Sequence, residues 1–345
     1  MMPQNATIQT IKEILPHNNA DSLELAKILG WTCVVRKGEF HSGDKIVYIS
    51  IDSVVPDAEW TQFLKGHFRI KTIRLRGELS QGLILSCNVL PQDKSFDIGD
   101  DVSDLLDVAQ YEKPISAQLQ GENVGIFPTH LCPKTDEVRI QNFPQLLDEL
   151  CGKRYIASVK MDGTSSSFIF DGEDFYICSR NNRKKYGDNV YSQIAVKYDL
   201  ENKMRRLNRR LAIQGEICGP GIQKNRMGLK ETELFVFDMF DLDERQYLCP
   251  KACMNLCNFL GLTHVPIAYE NICVYDEVTG IESDGGFEQQ SIDQILDWAK
   301  GNYPHTNNPR EGIVFRPLEV TYSPTLCGRL SFKVINNDYL LKHGE

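Results

Sequence analysis

The sequence predicts two domains, a small all-β module followed by an α+β domain. Three observations carry that expectation. Up to about residue 110, short β-rich runs (Thr32 to Val35, Lys45 to Ile51, Arg69 to Leu75, Gly82 to Leu85) are separated by glycine turns such as Lys37-Gly38-Glu39, Ser42-Gly43-Asp44 and Arg76-Gly77-Glu78. Short strands punctuated in this way predict a small barrel or sandwich. Next, residues from about 105 to 133 carry Pro114, Gly121, Gly125, Pro128 and Pro133 with little periodicity, which marks a junction. The remainder mixes helical stretches (Phe143 to Leu150, Asp188 to Leu207, Pro250 to Gly261, Ser291 to Ala299) with strands. The strands are Ser166 to Phe170, Phe175 to Cys178, Ala212 to Ile217, Glu233 to Phe240 and Gly312 to Phe315. The expected domains are therefore 1–112 and 134–345, joined by a linker over 113–133.

Composition narrows the functional classes. With 345 residues and 41% hydrophobic content the chain is long enough for a core in each domain. No apolar run approaches the ~18 residues of a membrane span, and Met1-Met2-Pro3-Gln4-Asn5 has neither a basic nor an apolar leader. A cytoplasmic or nuclear protein with no membrane partner, and a monomer, is expected. The eleven cysteines are odd in number and include no Cys-x-x-Cys pair, which argues against a disulfide framework and a structural zinc site. Cys249, Cys253 and Cys257 recur at helical spacing, either as small packing residues or, with His264, as a metal site. A net charge of −9 excludes a protein coated in positive charge. Local basic stripes remain. Lys65, His67, Arg69, Lys71, Arg74 and Arg76 crowd one stretch, as a phosphate-tracking patch or as charges guarding an edge strand.

Chemistry centres on Lys160-Met161-Asp162-Gly163, at the end of the apolar run Tyr155 to Val159. A lysine ending a buried strand, with a carboxylate two residues on, is placed to act as a nucleophile. Alone, the pattern also fits a surface lysine in a turn. Five further segments follow it on or beside strand-like runs: Ser179-Arg180-Asn181, Gln214-Gly215-Glu216-Ile217, Phe235-Val236-Phe237-Asp238, Glu311-Gly312-Ile313-Val314-Phe315-Arg316 and Ser331-Phe332-Lys333-Val334.

In this order the segments resemble motifs I, Ia, III, IIIa, IV and V of the covalent nucleotidyltransferases, the ligases and capping enzymes. Gly219-Pro220-Gly221-Ile222-Gln223-Lys224 and Lys134-Thr135-Asp136-Glu137-Val138-Arg139-Ile140-Gln141-Asn142 are similar to segments of the RNA ligase 2 branch. The opening Pro16-His17-Asn18-Asn19-Ala20-Asp21-Ser22-Leu23 resembles tRNA-binding OB-fold modules. An OB-like module placed first resembles the Deinococcus and Naegleria type of RNA ligase, the RNA ligase 5 group.

The resemblance implies an N-terminal OB-fold β-barrel followed by a nucleotidyltransferase (ATP-grasp-like ligase) domain of antiparallel sheets and helices. It also implies an ATP-dependent RNA ligase acting on RNA or an RNA-containing nicked duplex with Mg²⁺ or Mn²⁺. Lys160 would carry AMP, with Lys333 and Arg180 as catalytic cations at the α-phosphate and ribose. Arg139, Val159, Glu216 and Phe237 would complete the ATP site, Arg139 at the leaving pyrophosphate and Phe237 stacked on adenine, with Phe235 as the alternative. Asp162, Glu216 and Glu311 would hold the metal, with the ribose as the alternative role that the resemblance implies for Glu216. A lysine of ordinary pKa near 10.4 is protonated at neutral pH, so burial and a neighbouring cation are expected to favour its neutral amine. One departure stands out: related motifs V read Lys-x-Lys, and here Ser331 takes the first position, with Arg329 or Arg316 as candidate replacements. The basic groups of Asn181 to Tyr186 and Lys203 to Arg210 are either backbone contacts for a duplex or solvated faces. Rival readings are a guanylyltransferase or DNA ligase, and a catalytically silent RNA-binding protein.

Overall fold

The computed structural model describes residues 4–112, 121–150, 153–273 and 291–344, with the side chains of 270–273 excepted. The first part of the expected linker, Pro114 included, lies outside them. The chain divides into two compact units, 1–113 with 140–144 and 337–345, and 114–139 with 145–336.

The first unit is β-rich, as its alternating pattern requires. Trp31–Arg36 buries Trp31, Cys33 and Val35 and turns the intervening side chains outward, the period-two signature of a half-buried strand. It pairs with Leu23–Ile28, which pairs in turn with Glu13–Pro16. A second sheet sets Lys45–Ile49 between Ala6–Thr10 and Leu83–Ser86. Ala6, Ile8, Val47, Ile49, Val102 and Leu106 lie in the core beneath it. Thr72–Leu75 and Glu78–Gln81 form a hairpin turned at Arg76-Gly77, both in the left-handed region. Only Thr72–Leu75 of the expected Arg69 to Leu75 strand is regular. Residues 140–144 and the helix Asn337–His343 join this unit, tied by Trp31 Nε1 to Asn142 (2.8 Å) and Gln81 Nε2 to Asn337 (3.1 Å).

The second unit holds two sheets. The larger runs in the order Asn123–Ile126, Asn182–Lys184, Phe175–Ser179, Thr164–Phe170, Leu211–Cys218, Glu233–Asp241, Gln246–Tyr247. The smaller runs Val138–Arg139, Phe332–Ile335, Gly312–Pro317, Arg154–Lys160, Ile267–Cys273. Nearly all pairings are antiparallel. The exceptions are Val138–Arg139 with Phe332–Ile335 and Thr263–His264 with Glu233–Asp241, which are parallel.

The helical segments within 190–207 and 250–260 pack on the larger sheet, burying Tyr191, Ile194, Leu200, Met204, Cys253 and Cys257, whereas Ile292–Ala299 lies against the smaller sheet. Where the sequence predicts one helix over Asp188 to Leu207, two form, Val190–Lys197 and Leu200–Leu207. The break falls at Asp199, in the left-handed region with φ 51°. Apolar periodicity runs through it because both halves feed the same core, so the pattern alone does not reveal the break. Pro250–Leu260 begins with its proline in the first turn and ends at Gly261, φ 62°, as a helix stop requires. Its Cys253 and Cys257 are core residues, and among the described residues no three His, Cys, Asp or Glu groups form a metal cage.

Candidate active site

Lys160 ends the strand Arg154–Lys160, whose preceding Tyr155 to Val159 are all buried. That strand pairs along its length with Gly312–Pro317, the last pair being Lys160 with Gly312. Glu311 therefore emerges beside the lysine, and its Oε1 stands 2.8 Å from Lys160 Nζ. Gly312 permits the neighbouring strand's approach, since a Cβ there would stand 2.1 Å from the Val334 carbonyl oxygen.

Beyond Lys160 the chain crosses to the larger sheet, and Gly163 makes the crossing possible. A Cβ at Gly163 would meet the Ile217 carbonyl oxygen at 2.3 Å and Cys218 Sγ at 2.6 Å. The close approach places Thr164 opposite Ile217 and brings Glu216 toward the lysine. Asp162 is turned inward, where its carboxylate is ion-paired with Arg226, both side chains being 6% exposed.

Burial, one of the two influences expected to favour the neutral amine of Lys160, acts in that direction against the surrounding carboxylates. Burial works to lower the Lys160 pKa, but Glu311, Glu216 and Asp162 outweigh it and hold the ammonium above its ordinary value. The carboxylates answer in kind. Burial, helped by Glu311 and Asp162 and opposed by Lys160, raises Glu216 to about 8. Asp162 is also raised, by burial and by Glu311, against Arg226. Three carboxylates thus share too little positive charge, and their hard oxygen donors fit a divalent cation that keeps part of its water. Direct coordination by all three is not what the geometry offers, because Asp162 is engaged by Arg226.

Within reach of Lys160 and Glu311 lies a cationic group. Arg139 and Lys333 are neighbours across the parallel pair. Burial, then Arg139, Lys160 and Arg180, push Lys333 down to about 7 against the pull of Glu311. An anion beside such like charges would lower the cost of holding them together. Arg180, 62% exposed, is meanwhile held by Asp136 at 2.5 Å.

Phe237 sits at an irregularity. Gln214 pairs with Asp238 and Gly215 with Val236, so Phe237 is the extra residue of a bulge. Bulges re-aim the side chain they carry. Phe237 is half-buried against the cluster of Val159, Met161 and Phe235, whereas Phe235 itself is buried in that cluster.

The family profile of the RNA ligases matches residues 153–335, and an OB-fold domain profile matches residues 5–87. The chain belongs to the RNA ligase family. Solved structures similar to it include a Naegleria gruberi RNA ligase variant with ATP and Mn, 34% identical at a TM-score of 0.88, covering 99% of this chain and 100% of that one. The Naegleria gruberi RNA ligase with PPi (34% identical, TM-score 0.87, 99% of each chain) and a variant with AMP and Mn (34%, 0.87, 99% of each) are also similar. No curated relative matches by sequence. The OB-fold module followed by a ligase domain, expected from the motifs, is the fold of this family member.

Against that family pattern three residues were not singled out by sequence reasoning. Arg226 lies just after the Gly219 to Lys224 segment, Glu137 lies inside a quoted segment, and Tyr303 lies outside every motif. Arg316 and Arg329, the candidate substitutes at motif V, are both committed elsewhere. Arg316 meets Asp238 at 2.9 Å and Glu137 at 3.3 Å; Arg329 meets them at 2.7 Å and 3.2 Å and stacks 3.7 Å above the Tyr247 ring. In the run Lys203 to Arg210, Arg205, Arg209 and Arg210 pair with Glu201, Asp241 and Asp243, as a solvated face does.

Proposed function

We propose that the protein seals 3′-OH/5′-phosphate breaks in RNA, as nicks in duplexes, with ATP and a divalent metal. The observation that carries this reading is Lys160 Nζ set 2.8 Å from Glu311 in a site that also holds Arg139, Arg180 and Lys333. The Lys160 amine attacks the α-phosphorus of ATP. An N–P bond forms, the P–O bond to the β-phosphate breaks with its electron pair leaving on pyrophosphate, and the amine releases its protons to solvent. AMP then passes to the 5′-phosphate of RNA, and the 3′-OH displaces it to form the phosphodiester.

Each residue has a role in this reading. Arg139 receives the pyrophosphate, Arg180 and Lys333 the α-phosphate and ribose, Val159 lines the nucleotide site, and Phe237 stacks on adenine, a contact of about 1–3 kcal/mol. Glu216 and Glu311, with Asp162 beyond Arg226, would hold Mg²⁺ or Mn²⁺. Such a cation supplies positive charge that neutralises phosphate and relieves the carboxylate field keeping Lys160 protonated. In the OB-fold module Arg69 is committed to Asp52 (2.9 Å) and Tyr111 (3.6 Å), leaving the exposed Lys71, Arg74 and Arg76 for a nucleic-acid backbone.

Labelling with α-labelled ATP or GTP plus Mg²⁺ or Mn²⁺ tests the first step. An acid-labile AMP adduct absent from Lys160→Ala is expected, and labelling by GTP alone would overturn the reading. Sealing of nicks with the 3′-OH strand ending in RNA or DNA tests the substrate. Equal sealing of all-DNA nicks would remove the RNA assignment.

A further inference from the structure

The antiparallel ladder between the Lys160 and Gly312 strands ends at the Lys160 and Gly312 pair. At that point the two backbones separate, one toward Gly163 and the larger sheet, the other back into the segment Gly301 to Arg310. The Tyr303 hydroxyl bridges the two strand ends just past that pair. It donates to the Lys160 carbonyl at 3.2 Å and accepts from the Glu311 N–H at 3.1 Å, using both hydrogen-bonding capacities of a phenol.

We propose that Tyr303 is a positioning residue for adenylylation: its hydroxyl acts as a side-chain rung that sets the Lys160 amine against Glu311. The inference rests on the reading of Lys160 as the nucleophile. Tyr303 is 1% exposed and its ring is wedged among Val159, Met161, Cys218 and Phe235, so the hydroxyl has a fixed origin. The segment around it is braced as well. The Tyr303 N–H donates to the Asn308 carbonyl at 3.0 Å, and Thr306 donates to the Tyr303 carbonyl through N–H (3.2 Å) and Oγ1 (3.0 Å). Buried Arg310 donates to the carbonyls of Trp298, Ala299 and Lys300, which end the helix Ile292–Ala299.

The same segment reaches the other half of the site. Asn308 Nδ2 donates to the Arg226 carbonyl at 2.8 Å, and Arg226 is the ion partner of Asp162. One loop thus fixes the backbone of the nucleophile, of its carboxylate partner and of the arginine that holds the third carboxylate. Without the rung the strand ends are free to splay, and small displacements of a near-attack amine are expensive in rate.

Tyr303→Phe keeps the ring and removes the rung. In single-turnover assays the rate constant for lysyl-AMP formation at saturating ATP is expected to fall about tenfold or more, with half-saturation by ATP changed less than about twofold. The fraction of protein finally adenylylated should equal that of the parent, and sealing of pre-adenylated RNA nicks should fall less than about threefold. An unchanged adenylylation rate, an unchanged rate constant with a smaller reactive fraction, or an equal loss in both steps would overturn the proposal. Hydrogen exchange on the unaltered protein gives a measurement independent of the variant. The Glu311 amide should be protected like that of Gly312, and fast exchange there would also overturn it. A parent protein that ATP never labels would sink the ligase reading itself, whereas labelling at equal rates in parent and variant sinks only the role of Tyr303.

Discussion

Ser331 Oγ donates a hydrogen bond to Glu137 Oε1 at 2.7 Å, an oxygen that Arg316 and Arg329 also reach. The position where motif V was expected to carry lysine is therefore part of a buried group in which two arginines face two carboxylates, Glu137 and Asp238. Adding a cation there would unbalance it. Ser331→Lys is expected to lower unfolding free energy by about 2 kcal/mol or more without raising the adenylylation rate. Ser331→Ala, which loses one bond to a charged acceptor, should cost about 1.5 kcal/mol. Urea unfolding beside the ATP-labelling assay checks both.

Asp238 makes the same group acid-sensitive. Burial would raise its carboxyl, but Arg316 and Arg329 hold it at about 2. The folded pKa lies below the unfolded value near 3.9, so the stabilisation is complete above about pH 4 and is lost as pH falls toward 2. The loss is on the order of 2–3 kcal/mol. Asp238→Asn should flatten this part of the stability profile and, by leaving two buried arginines short of a partner, cost about 3–5 kcal/mol at neutral pH. Unfolding followed from pH 2 to 7 decides it.

Lys333, pushed down to about 7 by burial and its cationic neighbours, should take up a proton when an anion binds. Near pH 8 the uptake on pyrophosphate binding should approach about one proton per site, and affinity should weaken as pH rises above 7. Calorimetry in buffers of different ionisation enthalpy measures the uptake. Lys333→Met should abolish it.

Phe237 and Phe235 should separate cleanly. Phe237→Ala removes a half-buried ring on a bulge and should raise the ATP concentration for half-saturation about 5- to 150-fold, with little change in stability. Phe235→Ala empties a site in the core and should cost about 3–5 kcal/mol of stability. Thermal unfolding and ATP titration of the two variants make the comparison.

The sequence was most legible where local pattern and site coincide. Lys160, Glu216, Phe237 and Lys333 all lie on strands that their apolar flanks predict. Gly163 was readable as a motif letter, but its reason, the carbonyl of Ile217 against its α-carbon, belongs to a partner strand distant in sequence. Arg226 and Tyr303 carried no signal because each acts through backbone or a single carboxylate far along the chain, from irregular segments without periodicity. The carboxylate field at Lys160 was hidden for a related reason. Burial can be inferred from an apolar run, whereas the sum of three carboxylates converging from separate strands cannot. The single long helix expected over Asp188 to Leu207 failed at Asp199, where a left-handed residue interrupts an unbroken apolar period.

Arg139, Lys160 and Arg180, each raising the cost of a charge on buried Lys333, make the anions of the buffer a variable of the fold itself. Sulfate or phosphate that screens or occupies this region should raise the melting temperature more than chloride at equal ionic strength, and more at low pH than at high pH, where Lys333 is uncharged. Stability measured in one buffer will then differ from stability in another by an amount that reports on this region rather than on the core.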